Sequence, residues 1–276
     1  MLWRIDPATN EATRLPNTRG AEWPAVGEDA VWVTDCEAAD NPCVHPSVLK
    51  LDPSTGATLA SIRLPGYGEQ ITTGLGSVWV STSAGLVKID ALSAKVAATF
   101  PLKATLVGTA AGSVWASGHW SRFPGVAKVD PRTGKVDHVV RVHDPCTFLA
   151  TDHGIWVASC QGGLGGAGPD HLTKLDPVTG KVAYRIPLDH WGELAFAAGY
   201  LWMSRSLDNG RVEVDQRDPT TGLPTGVVVS VSPGEHPWED FGIGGPAIFT
   251  AVGDGSFWLT HVDADAVVRV PIPTSS

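Results

Sequence analysis

The sequence predicts an all-β fold, a six-bladed β-propeller of four-stranded blades that occupies residues 1–276 as a single domain. Three observations predict it. A tryptophan-centred strand motif recurs six times, an Asp-Pro turn motif recurs between alternating segments, and no segment carries the apolar stripe of an amphipathic helix. The 31 glycines and 21 prolines favour many short strands and tight turns.

The tryptophan motif is predicted to be the second strand of each blade, because another apolar segment precedes each copy. The spacings between successive tryptophans are 47, 36, 41, 46 and 56 residues, which is the period of propellers and solenoids. Each of these tryptophans is expected to pack one sheet against the next as a core residue. The six copies are Trp32 (AVWVTD), Trp79 (SVWVST), Trp115 (SVWASG), Trp156 (GIWVAS), Trp202 (YLWMSR) and Trp258 (SFWLTH).

The turn motif D-P-x-T-G is predicted to join the third strand of a blade to the fourth. The aspartate accepts bonds from amides just downstream, proline fixes φ at the next position, and glycine supplies the left-handed residue. The aspartates at this place are Asp52, Asp90, Asp130, Asp176 and Asp218. With the alternating strand that follows, the repeat units are about 22–64, 69–102, 104–142, 146–188 and 193–231, and 246–273 completed by 1–16.

The two chain ends are predicted to share the sixth blade. Residues 1–16 supply a third and a fourth strand, and residues 246–273 supply a first, a second and a third-like strand. Pairing of the N- and C-terminal strands would close the ring and remove exposed sheet edges. One strand is surplus, since MLWRI and AVVRVPI both resemble third strands. A ring of seven blades, one of them incomplete, is the alternative.

The ligand site is predicted on the face opposite the Asp-Pro turns, at the mouth of the central channel. The distance from the tryptophan to the turn aspartate ranges from 11 to 20 residues, so the loops on that face vary while the turns repeat. The third residue after each tryptophan also varies, as for a polar ligand, although ordinary solvated loop starts would vary too. These residues are Asp35, Thr82, Gly118, Ser159, Arg205 and His261.

The inter-blade loops hold further candidates, because DHWGE and GEHPWED place non-repeat tryptophans beside histidines and acids. Such groups suit a pocket that stacks a ring and transfers a proton. Each histidine alone is more often a solvated loop residue. The longest loop, 232–245, is a candidate lid. The predicted ligand-binding residues are Asp35, Arg205, Trp23, Glu69, Tyr67, His143, His190, Trp191 and Trp238, with Glu22 in the same group of loops.

A divalent-cation site is a minority prediction for His261, Asp263 and Asp265. In an extended strand these three residues would share one face, and the carboxylate oxygens of the two aspartates suit Mg²⁺ or Ca²⁺. The stronger alternative is a hairpin in which the two aspartates serve the turn.

The four cysteines are predicted to form two disulfides. Cys146 and Cys160 begin and end one hairpin, where cross-strand geometry permits a bond, and Cys36 and Cys43 lie in one loop. A zinc site of Cys36, Cys43 and His45 is weaker, because its spacing differs from C-x₂₋₄-C.

The cysteines and the first residues together predict localisation. Disulfides persist in oxidising compartments, yet Met1 leads directly into a strand-like LWRI without a signal peptide. The chain is therefore expected to be the mature part of an exported protein, whether extracellular, periplasmic or at the cell surface. A cytosolic protein with four free thiols is the alternative.

Charge and hydropathy exclude two classes of partner. The net charge of −9 argues against nucleic acid and anionic membrane surfaces, and no apolar run approaches the length of a membrane span. The predicted partner is a small molecule, a peptide or a glycan, or a protein received by the rim.

The repeat G-S-V-W-V-[ST] … V-x-K-[IVL]-D-P-x-T-G-K-V resembles the streptogramin B lyase-like propellers, and more loosely the YVTN and NHL repeats, along essentially the whole chain. The resemblance implies an elimination that opens a depsipeptide ring, with a histidine base and a Mg²⁺ held by glutamate. Those enzymes often carry W-F-T-E, whereas the fourth place here is never glutamate. The nearest stand-ins for the catalytic groups are His236 with Glu235, or His261.

Two functions therefore stand. The first is a ligand-binding propeller without chemistry of its own. The second is a lyase-like enzyme with a loop histidine as general base and a divalent cation as electrophile.

Overall fold

The chain is an all-β protein, a six-bladed β-propeller, as predicted. The computed structural model describes residues 2–36, 43–118, 125–159, 170–188, 192–206, 212–231, 250–261 and 266–273. Every regular element within these ranges is a strand. Contacts divide the chain into two units, Met1–Arg141 and Val142–Ser276.

The first unit holds a two-stranded hairpin followed by three four-stranded antiparallel sheets. Each sheet runs in chain order, so we call them blade 1 (β3–β6), blade 2 (β7–β10) and blade 3 (β11–β14). The strands are β1 (Trp3–Ile5), β2 (Ala12–Arg14), β3 (Ala21–Gly27), β4 (Ala30–Cys36), β5 (Pro46–Leu51), β6 (Thr58–Arg63), β7 (Gly68–Gly74), β8 (Ser77–Thr82), β9 (Gly85–Asp90), β10 (Lys95–Phe100), β11 (Leu106–Ala110), β12 (Ser113–Gly118), β13 (Gly125–Val129) and β14 (Val136–Val140).

The second unit holds two four-stranded sheets and a sheet of three described strands. We call them blade 4 (β15–β18), blade 5 (β19–β22) and blade 6 (β23–β25). The strands are β15 (Pro145–Thr151), β16 (Gly154–Ser159), β17 (Asp170–Leu175), β18 (Val182–Leu188), β19 (Glu193–Ala197), β20 (Tyr200–Ser206), β21 (Val212–Arg217), β22 (Pro224–Val231), β23 (Thr250–Gly253), β24 (Ser256–His261) and β25 (Ala266–Pro271).

The repeat tryptophans are core residues, which confirms their prediction. Five of the six are fully or almost fully buried, and Trp258 is half-buried. Trp32 of blade 1 packs in a cluster with Val78 and Val80 of blade 2, and Trp202 of blade 5 packs with Phe257 of blade 6. Trp79 likewise packs with Val107 and Val114 of blade 3, and Trp156 with Leu194 and Leu201 of blade 5, so within each unit the tryptophan of one blade packs against the next blade.

The Asp-Pro turns also have the predicted geometry. In the turn of blade 1, Asp52 Oδ1 accepts hydrogen bonds from the amides of Ser54 (2.9 Å) and Thr55 (2.7 Å). The Gly56 amide donates to the Asp52 carbonyl at 2.8 Å, and Gly56 has a φ of 72°. The aspartate, the threonine and the left-handed glycine thus close the turn through hydrogen bonds among neighbouring residues.

The N-terminal hairpin packs against blade 1. Leu15 shares a buried cluster with Val33, Leu49 and Leu51, and the Arg4 guanidinium donates to the Ser54 carbonyl in the turn of that blade. Among the strand ladders of the described residues, β1 pairs with β2 alone and β25 pairs with β24 alone. The predicted pairing of the two chain ends is therefore not confirmed and stays a prediction.

The C-terminal strand β25 occupies the third-strand position of its sheet. β25 places Arg269 opposite Trp258, as β5 places Lys50 opposite Trp32, so β25 is the third strand of its sheet. The hairpin supplies another strand of the same kind in β1, which leads into the turn at Asp6.

Candidate ligand-binding site

The loops between the second and third strands, which we call the rim loops, differ greatly in length between blades 1 and 2. In blade 2 only two residues separate Thr82, which ends β8, from Gly85, which begins β9, and the Thr82 hydroxyl donates to the Gly85 carbonyl at 2.7 Å. In blade 1 the same connection runs from Cys36 to Pro46 and is closed by the Cys36–Cys43 disulfide, with Cα atoms 5.7 Å apart. This disulfide was predicted and is confirmed.

Tyr67 and Glu22 connect the segments at which the chain begins blade 2 and blade 1. Tyr67 lies in the link between β6 and β7, and its hydroxyl donates a hydrogen bond to the Glu22 carboxylate on β3. The amide of Ser83, in the two-residue turn of blade 2, donates to the Tyr67 carbonyl at 3.0 Å. Because the backbone of the link is held this way, the phenol is fixed at the rim with 40% of the residue surface exposed.

The electrostatics keep the phenol protonated. Partial burial, the hydrogen bond to Glu22 and the charges of Glu22 and Glu69 raise the pKa of Tyr67 to about 12. Burial also raises the pKa of the Glu69 carboxyl. Glu22, Tyr67 and Glu69, which we call the rim cluster, thus combine a fixed hydroxyl with two acids, of which Glu22 is exposed and Glu69 half-buried.

Trp23 and Asp35 flank the rim cluster on blade 1. The Trp23 ring packs against the core between blades 1 and 2, and its amide donates to Thr34 Oγ1 at 3.1 Å. Asp35 lies opposite Ala21 and is half-buried. Gly20 approaches both the Asp35 carboxylate and the Cys36 carbonyl so closely that a Cβ there would overlap them. Glycine at residue 20 therefore lets the chain enter blade 1 beside Asp35.

Arg205, another predicted ligand residue, lies against an acid of its own blade. Its guanidinium forms an ion pair with Glu213 on the neighbouring strand, with Nη2 and Oε2 2.7 Å apart. The two residues are register partners in β20 and β21. A ligand at Arg205 would therefore compete with Glu213. His143 is exposed and precedes β15.

Several predicted residues lie outside the described part of the chain. His261 ends β24, but its side chain is not among those described. Cys146 is disulfide-bonded, while its predicted partner Cys160 is outside. Residues without a described position are His190, Trp191, Glu235, His236, Trp238, Asp263 and Asp265. The catalytic and metal-ligand predictions, with Mg²⁺ or Ca²⁺, therefore stay predictions.

No group of three or more histidines, cysteines or acids suited to a metal occurs among the residues with described positions. The same residues form no helix that is long and apolar enough to cross a membrane.

The sequence did not single out Glu193, although it ends the quoted DHWGE. It is the first residue of β19, and burial raises the pKa of its carboxyl to about 7. The only signal in the sequence was an acid at the start of an otherwise apolar strand.

Comparisons with known proteins support the fold. No protein-family model matches the chain, and no curated protein sequence matches it. Among solved structures, the chain is similar to hydrazine synthase of Kuenenia stuttgartiensis (TM-score 0.69, 16% identity, 98% of this chain and 89% of that one). It is also similar to BamB of Moraxella catarrhalis (0.53, 13%, 91% and 77%) and to the WD40 domain of Toxoplasma gondii coronin (0.58, 10%, 90% and 69%). At these identities the likeness shows the propeller fold alone.

Proposed function

We propose that this propeller binds a polar ligand at the rim cluster of blades 1 and 2. The observation that carries the proposal is the hydrogen bond between Tyr67 and Glu22, two residues 45 positions apart that the fold brings together at an exposed edge. The two acids would accept N–H or O–H groups of a small molecule, peptide or glycan, and Tyr67 adds an aromatic surface.

The proposed ligand presents hydrogen-bond donors rather than anionic groups. Glu22 and Glu69 both act electrostatically on the Tyr67 hydroxyl, so the surroundings of the hydroxyl are negative. The net charge of −9 acts in the same direction over longer distances.

The site is proposed to work outside the cytoplasm. The Cys36–Cys43 disulfide closes the blade 1 loop that borders the rim, and the described residues include no free cysteine. Disulfides of this kind persist in oxidising compartments, which supports export.

The test is a thermal-shift screen of amines, short peptides and oligosaccharides against the wild type, Glu22→Gln and Tyr67→Phe. A true ligand should raise the melting temperature of the wild type and bind either variant about tenfold or more weakly, as expected when a charged or charge-assisted hydrogen bond is lost. Glu11→Gln is the matched control, because Glu11 is also an exposed acid of the first unit but lies in the N-terminal turn. Hits that bind all four proteins equally would contradict the proposal.

The lyase-like alternative rests on the resemblance of the repeat motif. It predicts that Mg²⁺ or Ca²⁺ raises the melting temperature, that EDTA reverses the effect, and that His236→Ala or His261→Ala abolishes elimination on a cyclic depsipeptide. No metal response, together with unchanged turnover in both variants, would remove its support.

A further inference from the structure

One residue in the first strand of blade 2 forms a side-chain contact with the next blade. This residue is Gln70, which lies opposite Ser81, two residues after the repeat tryptophan. Gln70 Oε1 accepts a hydrogen bond of 2.6 Å from the amide of Val107 on β11, the first strand of blade 3. The neutral amide side chain thus joins two adjacent first strands.

Glu193 takes the same position in the second unit. It lies opposite Ser204, two residues after Trp202, and begins β19, which lies beside β23 of blade 6. In blade 6 the residue that corresponds to Val107 is Thr250. Each of the two lies opposite the residue that follows the repeat tryptophan of its own blade. Blade 5 therefore carries a titratable acid where blade 2 carries a neutral amide.

The side of the sheet that carries Glu193 is mainly apolar, with Ser204 as its polar cross-strand neighbour. Ala195 and Trp202 share its side of the sheet and pack in a buried cluster with Phe257 and Leu259 of blade 6. A carboxylate held above such a cluster loses hydration that a protonated carboxyl gives up at much lower cost.

Among the described residues, no charged group on a neighbouring strand compensates the negative charge of an ionised Glu193. β15 and β23 contain no charged residue, and Arg205 of β20 is paired with Glu213. In blade 6, Arg269 is paired with Asp254 at 2.8 Å. His261 ends β24, and its side chain is not among those described.

We propose that Glu193 is a proton-controlled contact between the first strands of blades 5 and 6. With the carboxyl neutral, β19 and β23 pack as in the structure. When the carboxyl ionises, hydration of the carboxylate competes with this packing and the contact loosens.

Glu193 is half-buried, and the hydration that its carboxylate loses there sets the direction of the pH effect. Burial raises the pKa of Glu193 to about 7, above the ordinary range of an unfolded glutamate. The folded state therefore holds the proton more tightly than the unfolded state. The contact is fully stabilised below the unfolded value and weakens as pH rises from there to about 7.

The test compares the wild type, Glu193→Gln and Gln70→Glu by amide hydrogen exchange, with protection factors corrected for the intrinsic pH dependence of exchange. Between pH 5.5 and pH 8.5, protection in β19 and β23 of the wild type should fall by about tenfold or more, since a one-unit pKa difference is a tenfold change in the proton equilibrium. In Glu193→Gln the protection should not change. Gln70→Glu should transfer the pH-dependent loss to β7 and β11.

An independent measurement avoids reliance on the variants. The carboxyl carbon resonance of Glu193, followed by NMR in the wild type, should titrate with a midpoint near 7. A midpoint in the ordinary range of glutamate would overturn the proposal, as would equal pH-dependent loss of protection in the wild type and Glu193→Gln. A loss spread evenly over all blades would overturn it as well, because the proposed contact is local.

Discussion

The ammonium group of Lys88 lies over the indole ring of Trp79, with Nζ 5.2 Å from the ring centroid. The same Nζ donates a 3.0 Å hydrogen bond to the carbonyl of Pro131, in the turn of blade 3. One side chain thus connects the core tryptophan of blade 2 to the next blade. The arrangement recurs with Lys50 over Trp32, bonded to Ala91, and with Lys174 over Trp156, bonded to Pro219.

Lys88→Met should lower the free energy of unfolding by about 2 kcal/mol. Methionine keeps the apolar stem over the ring but loses the cation–π contact and the charged hydrogen bond. Urea unfolding measures the change. The control is Lys95→Met on the outer strand β10, where the lysine is exposed, and it should change stability by less than about 0.5 kcal/mol. Equal effects of the two substitutions would show that Lys88 does not act through these contacts.

Asp130→Ala should destabilise the protein at neutral pH and have little effect in acid. Asp130 Oδ1 accepts bonds from the amides of Arg132 (2.9 Å) and Thr133 (2.7 Å), and those from Thr133 contribute most to lowering the pKa of the carboxyl. A lowered pKa gives stability that is present above the unfolded value and lost as pH falls through the folded value. The urea midpoints of wild type and variant should therefore converge below a pH of about 4.

Asp137→Ala is the control for this prediction, because Asp137 is an exposed aspartate on the neighbouring strand β14. A difference between wild type and Asp130→Ala that stays constant from neutral pH into acid would contradict the role of the ionised carboxylate.

Gly134→Ala should cost more stability than Gly76→Ala, although both glycines have a φ of 69°. Each substitution forces alanine into the left-handed region, at about 1 kcal/mol. A Cβ at residue 76 would meet nothing, whereas one at residue 134 would overlap the ring of Phe100, which stacks on Trp79. The difference between the two urea-unfolding free energies measures that overlap and should be at least about 1 kcal/mol. Equal losses would mean that Phe100 moves aside freely.

The parts of the fold that depend on short-range chemistry could be predicted from the sequence. The hydrogen bonds that define the turn at Asp52 join residues 52–57, so the sequence of this segment is enough to predict the geometry of the turn. The burial of Trp79 follows from a repeated apolar strand, since the next blade of the same unit presents apolar residues of the same repeat to it.

The candidate site was less predictable because its contacts are not local. Tyr67 and Glu22 were both named from their loops, but their bond depends on how two blades pack. Arg205 was predicted to meet a ligand, and its partner Glu213 follows only from the strand register. Glu193 was missed because its burial depends on a neighbouring sheet, which a single acidic letter does not reveal.

The buried pair of Asp215 and Arg217 in blade 5 provides the last prediction. Arg217 Nε lies 2.7 Å from Asp215 Oδ2, with both side chains less than a tenth exposed. In blade 1 the corresponding register positions are Leu49 and Leu51, so the repeat itself accommodates leucine at both places.

Arg217→Leu alone should destabilise the protein by about 3–5 kcal/mol, because it removes the cation from a buried carboxylate. The double variant Asp215→Leu, Arg217→Leu should recover most of the loss, as apolar replacements of a buried ion pair often do. Urea unfolding of the four proteins in a double-mutant cycle gives the coupling, which should be at least about 2 kcal/mol. If the double variant is as unstable as the sum of the single variants, the two residues act independently, and blade 5 needs each of them for a reason other than their pairing.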